Sequence, residues 1–367
     1  MNKLKVLSLF SGIGAFEKAL SNLGVDYELV GFSEIDKYAT KSYCAIHNVD
    51  ESLNLGDITK IDLENLPKAD LITHGSPCTS FSLAGKGAGG DKGSGTQSSL
   101  MWYSVEIINK VRPKYVIWEN VKNVLSKKHR HNFDLYIDTL DKLGYKSYFE
   151  VLNAKHYGVP QNRERIFVVS ILDDTKYTFN FPDKTPLTKQ IRDVLENEVP
   201  EKYYKDRLSD LINVSTDPIQ VRQATSLGYI ELESGGVCDV SYPKSKTRRG
   251  RVQERGNISP TITAAHQELI RVERTPLKFL NRNGKLSGED YTFCVNTSHT
   301  GGLKEEYSFG VRVRQLTPLE TWRLMSFSDE DYSKAVSAGI SERQLYKQAG
   351  NSIVVKVLEG IFRNLLC

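Results

Sequence analysis

The chain has 367 residues, 39% of them hydrophobic, and a net charge of +4 from 49 lysines and arginines against 45 aspartates and glutamates. That length is enough for two cores of unequal size, and so near a balance of charge means that the partner must be read from where the charges fall. Five scattered cysteines without a C-x-x-C pair (Cys44, Cys78, Cys238, Cys294, Cys367) exclude a disulfide framework and a zinc site, while the absence of any run near ~20 apolar residues, or of a secretory leader, points to a soluble cytoplasmic protein.

Val6 to Phe10 reads as a strand, S-G-I-G as a tight turn, and Phe16 to Leu23 as a helix, the opening of a nucleotide-binding fold. A second strand, Tyr27 to Ser33, runs into Glu34 and Asp36. Glu34 lies 20 residues past Gly14, where a dinucleotide-type site holds a ribose-binding carboxylate. Asp36 to His47 is predicted as a helix, Gly56-Asp57 as the close of a short strand, and Ala69 to His74 as a buried strand delivering Cys78. Six glycines fall between Ala84 and Gly95, so the thiol faces a loop. Beyond it the pattern predicts a helix over Met101 to Val111, a strand over Tyr115 to Trp118 ending at Glu119-Asn120, and a helix over Phe133 to Leu143 capped by Gly144. Strands over Lys146 to Leu152 and Arg165 to Ile171 complete it. This alternation predicts an α/β fold with an open, mostly parallel sheet, helices on both faces, and a site at the carboxyl ends of the strands.

From Phe181-Pro182 the composition changes, with prolines at 182, 186, 200 and 218. Lys244 to Arg255 carries six basic residues (Lys244, Lys246, Arg248, Arg249, Arg251, Arg255) against one acidic, Glu254. Such a run is either a solvated face or, with Gly250 and Gly256 interleaved, a phosphate-gripping loop. Helices return at Thr317 to Leu324 and Ser341 to Gln348. The run after Gly350-Asn351-Ser352 is apolar at helical spacing and predicts a last helix packed on the first domain.

Gly12-x-Gly14 lacks the third glycine of a pyrophosphate fingerprint, since Glu17 stands in its place. A nucleoside without a pyrophosphate fits better: Phe10 to stack on the ring, Asp57 to accept from an adenine amino group, Glu34 to accept from ribose hydroxyls. S-adenosylmethionine is such a ligand. Cys78, fixed by Pro77, reads either as a nucleophile or as an inert buried thiol, because an unperturbed thiol with pKa about 8.5 is mostly protonated at neutral pH. Glu119 reads either as a proton donor with a raised pKa or as a cap. Arg163 and Arg165, two apart, share one face if extended; they suit a substrate carbonyl, the Cys78 thiolate, or an ion pair with Glu119 or Glu164.

Together these stretches resemble the cytosine-5 DNA methyltransferases: F-S-G-I-G, Glu34-x-Asp36, G-D-I-T, G-S-P-C-x-S-F-S, E-N-V, Q-x-R-x-R, R-x-L-T-P-x-E and G-N-S, in order, over Leu4 to about Phe181 and Arg312 to Phe362. Ile258 to Ala264, I-S-P-T-I-T-A, looks like part of the family's target-recognition domain. Thr79, Ala15 and Met325-Ser326 depart from common family residues, none at a catalytic position. The resemblance implies a Rossmann-like S-adenosylmethionine-dependent methyltransferase domain with an open mixed sheet (1–185, completed by a helix at about 345–367), a smaller irregular target-recognition domain (186–310), and a hinge segment (311–344). It implies methyl transfer from S-adenosylmethionine, without a metal, to carbon 5 of a cytosine flipped out of a specific duplex sequence. Cys78 would be the nucleophile at carbon 6, Glu119 the acid at ring nitrogen 3, Arg165 the contact to the base carbonyl and Arg163 an ordering residue. Phe10, Gly12, Gly14, Glu34, Asp57, Pro77, Asn351 and Ser352 would hold the cofactor. Ser82, Lys244, Arg248, Arg249 and Arg251 would face DNA. The implied partners are double-stranded DNA and a cognate restriction endonuclease acting separately, and one active site per chain makes a monomer sufficient. Rival readings are a tRNA cytosine-5 methyltransferase, whose C-F-T tripeptide is absent here, a nicotinamide-dependent oxidoreductase, and a non-catalytic DNA-binding relative.

Overall fold

A computed structural model describes residues 3–77, 89–172, 178–205, 209–264, 268–275 and 310–366. The chain divides into two compact units: Met1–Gln190 with Thr261–His266 and Pro318–Cys367, and Ile191–Pro260 with Gln267–Thr317. Residues 311–344, expected as one hinge, fall partly into each. Thr261 to Ala264, expected in the target-recognition domain, belongs to the first unit, because its main chain is tied there by Arg163.

In the first unit β1 (Leu4–Leu9), α1 (Ala15–Asn22), β2 (Tyr27–Ser33), α2 (Lys37–His47), β3 (Leu71–His74), α3 (Met101–Val111), β4 (Tyr115–Val121), α4 (Arg130–Lys142), β5 (Tyr145–Asn153) and β6 (Glu164–Leu172) follow in order. The six strands form one sheet in the order β2-β1-β3-β4-β6-β5. The first four are parallel, and β6 pairs antiparallel with both β4 and β5, so the sheet is mixed. The inner strands read as continuous apolar runs because they are covered on both faces: Val6, Leu7, Leu9, Leu71, Ile72, Ile117 and Trp118 have essentially no exposure. Edge strand β5 is instead mostly half-buried, leaving Phe149 exposed.

Two local differences from expectation matter for the site. β4 runs three residues past Trp118, so Glu119 projects from within a paired strand, opposite Phe167. Gly56-Asp57 does not end a strand: a lone bridge joins Phe32 to Asn54, and a short turn follows at Ile58–Lys60. The unit is completed by α5 (Pro318–Arg323), α6 (Asp329–Ser337), α7 (Glu342–Asn351) and α8 (Val355–Leu366). The apolar face of α8 packs on α1, with Phe362 edge-on to Phe16 at 6.4 Å.

The second unit contains β7 (Ile212–Asn213), β8 (Ile219–Arg222), β9 (Tyr229–Leu232), β10 (Gly236–Asp239), β11 (Leu269–Thr275) and β12 (Gly310–Gln315). They make two three-stranded antiparallel sheets around a core that includes Val221, Leu232, Cys238 and Val272. None of the described helices in either unit is long and apolar enough to cross a membrane.

Candidate active site

A cavity of about 330 Å³ opens in the first unit at the carboxyl ends of β1, β2, β3 and β4. Phe10, Gly12 and Glu34 line one side, Glu119, Arg163 and Arg165 another, and Pro77, Asn351 and Ser352 come from two further segments. The turn that starts it is strained: Phe10 sits at φ 53°, a region that residues with a side chain rarely enter.

Glu34 is fixed by main chain. One carboxylate oxygen accepts from the Gly12 N–H at 2.9 Å and the other from the Asp36 N–H at 2.8 Å. Burial raises its pKa, and those two N–H groups partly offset the rise. Each oxygen keeps a lone pair for a hydroxyl donor. Asp36, the N-cap of α2, meets the Lys347 ammonium at 2.6 Å, so that cation is already paired rather than free for phosphate. Phe10, Ile13, Ile35 and Ile353 add apolar walls, and Ile35 is 76% exposed. An apolar slot with a paired lysine and a carboxylate anchored at both oxygens suits a nucleoside and not a pyrophosphate.

The other side is ionic and largely buried. Glu119 is 8% exposed, and burial raises its pKa above the ordinary carboxylate value against the opposing pull of Arg165 and then Arg163. Arg165 Nε lies 3.1 Å from its Oε1. Arg163 does something else: its guanidinium donates to the carbonyls of Ile262 (2.7 Å), Gly350 (3.2 Å) and Ser352 (2.7 Å). It thereby ties the residue just before β6 to the segment around Ile262 and to the end of α7. Gly350 must be glycine there, since a Cβ would lie 2.3 Å from main-chain atoms of Thr263 and Ala264. Behind Pro77, Ser76 is held by Trp118, whose indole N–H donates to its hydroxyl at 3.0 Å, and by the Asn120 amide, which donates to its carbonyl at 3.1 Å.

The family model for C-5 cytosine-specific DNA methylase matches residues 4–367. The chain belongs to the C-5 cytosine-specific DNA methylases. Across its whole length this methylase is 37% identical to the orphan methyltransferase M.SPBetaI of Bacillus phage SPbeta, covering 98% of that protein. Over 99% of the chain it is 32% identical to the type II methyltransferase M2.ScrFI of Lactococcus lactis subsp. cremoris and 30% identical to M.HhaI of Haemophilus parahaemolyticus, covering 99% and 94% of them. Its fold resembles that of Spodoptera frugiperda DNMT2, with TM-score 0.65, 19% identity and 100% of both chains covered. It also resembles a putative DNA modification methyltransferase encoded within an E. coli prophage, with TM-score 0.59, 16% identity, and 99% and 98% covered.

Not every residue expected in the methylase site lines it. Cys78 and Ser82 lie outside the described residues. Gly14 is not on the cavity; at φ 80° it starts α1, and a Cβ there would strike His47. Asp57 is not on it either: it caps the Ile58–Lys60 turn, its carboxylate accepting from the Thr59 N–H and hydroxyl. In the second unit Arg251 is corrected outright. It is 1% exposed, with its guanidinium on three main-chain carbonyls, so it has no free face for a phosphate. Lys244 and Arg249 are exposed, and Arg248 is half-buried against Asp239. Sequence reasoning missed Ile35, Lys347 and Gln348; the position of the last two within one turn of G-N-S on a predicted helix was the available signal for them.

Proposed function

We propose that the protein transfers a methyl group from S-adenosylmethionine to carbon 5 of cytosine in duplex DNA. The observation that carries this reading is one cavity lined both by a main-chain-anchored Glu34 and by the buried Glu119–Arg165 pair. A nucleoside end and an acid end within one 330 Å³ space bring a donor and a base into reach of each other.

Bound S-adenosylmethionine supplies an electrophilic sulfonium methyl group. Glu34 would accept from ribose hydroxyls with its remaining lone pairs, and Phe10 and Ile35 would flank the adenine. Carbon 5 of cytosine is too weak a nucleophile to be methylated unaided. The Cys78 thiolate adds to carbon 6, while Glu119, whose pKa burial raises, gives its proton to ring nitrogen 3. Carbon 5 then carries enamine density and would take the sulfonium methyl group, the S–CH3 bond breaking with its electron pair left on sulfur as S-adenosylhomocysteine. Loss of the carbon 5 proton to solvent, expulsion of Cys78 and return of the nitrogen 3 proton to Glu119 release 5-methylcytosine. Arg165 keeps Glu119 aligned and offers its remaining N–H groups to the base carbonyl. Flipping the target base out of the duplex costs roughly a few kcal/mol, which contacts from Lys244, Lys246 and Arg249 to phosphates help to offset.

The test is incubation with tritiated S-adenosylmethionine and, in separate reactions, mixed-sequence duplex DNA and tRNA, for wild type and Cys78→Ala, followed by digestion to nucleosides. Label in 5-methylcytosine with wild type only is the expected result. Label in tRNA but not in DNA, or in no nucleic acid, would overturn the reading.

A further inference from the structure

The basic run of the second unit is not one patch. Arg251 donates to the carbonyls of Asp239 (3.0 Å), Ser241 (2.7 Å) and Tyr242 (3.0 Å), and its own N–H reaches the Gln223 side chain at 3.1 Å. The Pro243 carbonyl accepts from Arg222 at 3.0 Å, and the Arg248 carbonyl from the Ala224 N–H at 3.0 Å. Residues 239–251 are therefore fastened to the neighbouring turn at several points. On this fixed base Tyr242 is held at φ 53° and is 60% exposed. Arg248 pairs with the carboxylate of Asp239, itself 4% exposed, and lies 5.2 Å from the centre of the Tyr242 ring, leaving 32% of its side chain exposed. Lys244, Lys246 and Arg249 are exposed, with no carboxylate partner among the described residues.

These are two kinds of cation. A phosphate-binding cation acts by displacing counterions, so it should be unneutralised, and mobility does it little harm. Arg248 is the opposite: Asp239 cancels its charge, while the ion pair and the ring fix its fork before any ligand arrives. Neutralisation removes most of its value at a phosphate. Fixed orientation suits a base edge: with Nε buried and Nη2 already donating to Asp239, the N–H groups left at the Nη1/Nη2 end are held in place, their rotamer entropy lost on folding and not on binding.

We propose that Arg248, buttressed by Asp239 and Tyr242, reads a base, and that its partner is the O6/N7 edge of a guanine in the major groove of duplex DNA. Lys244, Lys246 and Arg249 hold phosphates, and Arg251 only builds the loop. The proposal rests on that part of the functional reading which gives the protein duplex DNA as its partner.

The experiment is selection of bound duplexes from a random-sequence pool with the full chain, which requires no methyl transfer. Wild type is expected to enrich a motif containing a guanine that Arg248→Lys, a variant that keeps the charge and loses the fork, no longer enriches. Tyr242→Ala, which touches only an exposed ring, should weaken preference for the same guanine. The triple variant Lys244→Ala, Lys246→Ala, Arg249→Ala should keep the motif while its log–log salt slope falls by about 2.7, three phosphates at about 0.9 each. An unchanged motif in both Arg248→Lys and Tyr242→Ala overturns the proposal, as does a wild-type pool with no motif. Enrichment without 5-methylcytosine in the tritium assay would instead sink the methyl-transfer reading and leave this one standing.

Discussion

Arg163 and Arg251 are the same device in two regions of the molecule. Each is buried, 4% and 1% exposed, and each donates to three main-chain carbonyls. Their reach differs. Arg163 collects partners 99, 187 and 189 residues away, whereas those of Arg251 are 9 to 12 residues away. The cavity of the first unit is thus assembled by chain closure, and the loop of the second by a local tie. One mutation should damage a whole unit, the other a loop.

The largest effect expected is that of Arg163→Lys. An ammonium keeps the charge but cannot span three carbonyls, and each buried acceptor left unmet costs about 1–3 kcal/mol. Urea titration should show a loss of about 3 kcal/mol or more, and calorimetry should show S-adenosylhomocysteine binding lost with it. Stability within about 1 kcal/mol of wild type would mean the long-range tie is dispensable. Arg251→Lys comes second, with about 2 kcal/mol confined to its neighbourhood. Hydrogen exchange should quicken in β10 and the loop after it and stay unchanged in β1 and β3. Equal loss of protection in β3 would break the contrast.

The first unit was readable because its strands are continuous apolar runs between glycine turns, and most predicted elements lie within a few residues of those observed. Where the reading failed, a polar residue took its role from a distant partner. Glu119-Asn120-Val121 reads as a strand end, but pairing with β6 carries β4 through it. α6 is polar enough to pass as loop, although its capping box, Ser328 with Asp331, was a local signal. Nothing near Arg249 and Arg251 in sequence says that one is exposed and the other buried. Their fates are decided by which side of the loop faces the carbonyls of residues 239–242. Ile258 to Ala264 was placed in the target-recognition domain by resemblance; that Thr261 to Ala264 go with the first unit follows from the Arg163 contact, which cannot be read from spacing.

A third test concerns the acid side of the cavity. Arg165 is the strongest influence opposing the burial of Glu119, so removing it should move the Glu119 pKa further up from its already raised position. Carboxyl NMR titration of wild type and Arg165→Gln checks the direction. The pH above which Glu119 gives up its proton should rise in the variant. An unmoved titration would show that the 3.1 Å ion pair does not govern the acid.

The smallest effect comes from the buried carboxyl that no cation attends. Glu17 has no exposure and neither oxygen has a hydrogen-bond partner; the Ser8 and Tyr43 hydroxyls approach without closing a bond, so burial dominates and raises its pKa. The sign follows from linkage. Below the unfolded-state value, about 4.3, both states are protonated and nothing is lost. As pH rises from there towards the folded value, the unfolded state releases its proton first and folding loses stability, about 1.4 kcal/mol for each unit separating the two values. Glu17→Gln removes that titration while leaving the shape nearly unchanged. Its stability should therefore decline less than that of wild type between pH 4.5 and neutrality, whatever constant offset the buried amide adds. Urea unfolding of both proteins across that range reads the difference in slope directly. Parallel curves would mean that the Ser8 and Tyr43 hydroxyls close on the carboxylate in solution, making Glu17 as well attended as Glu119.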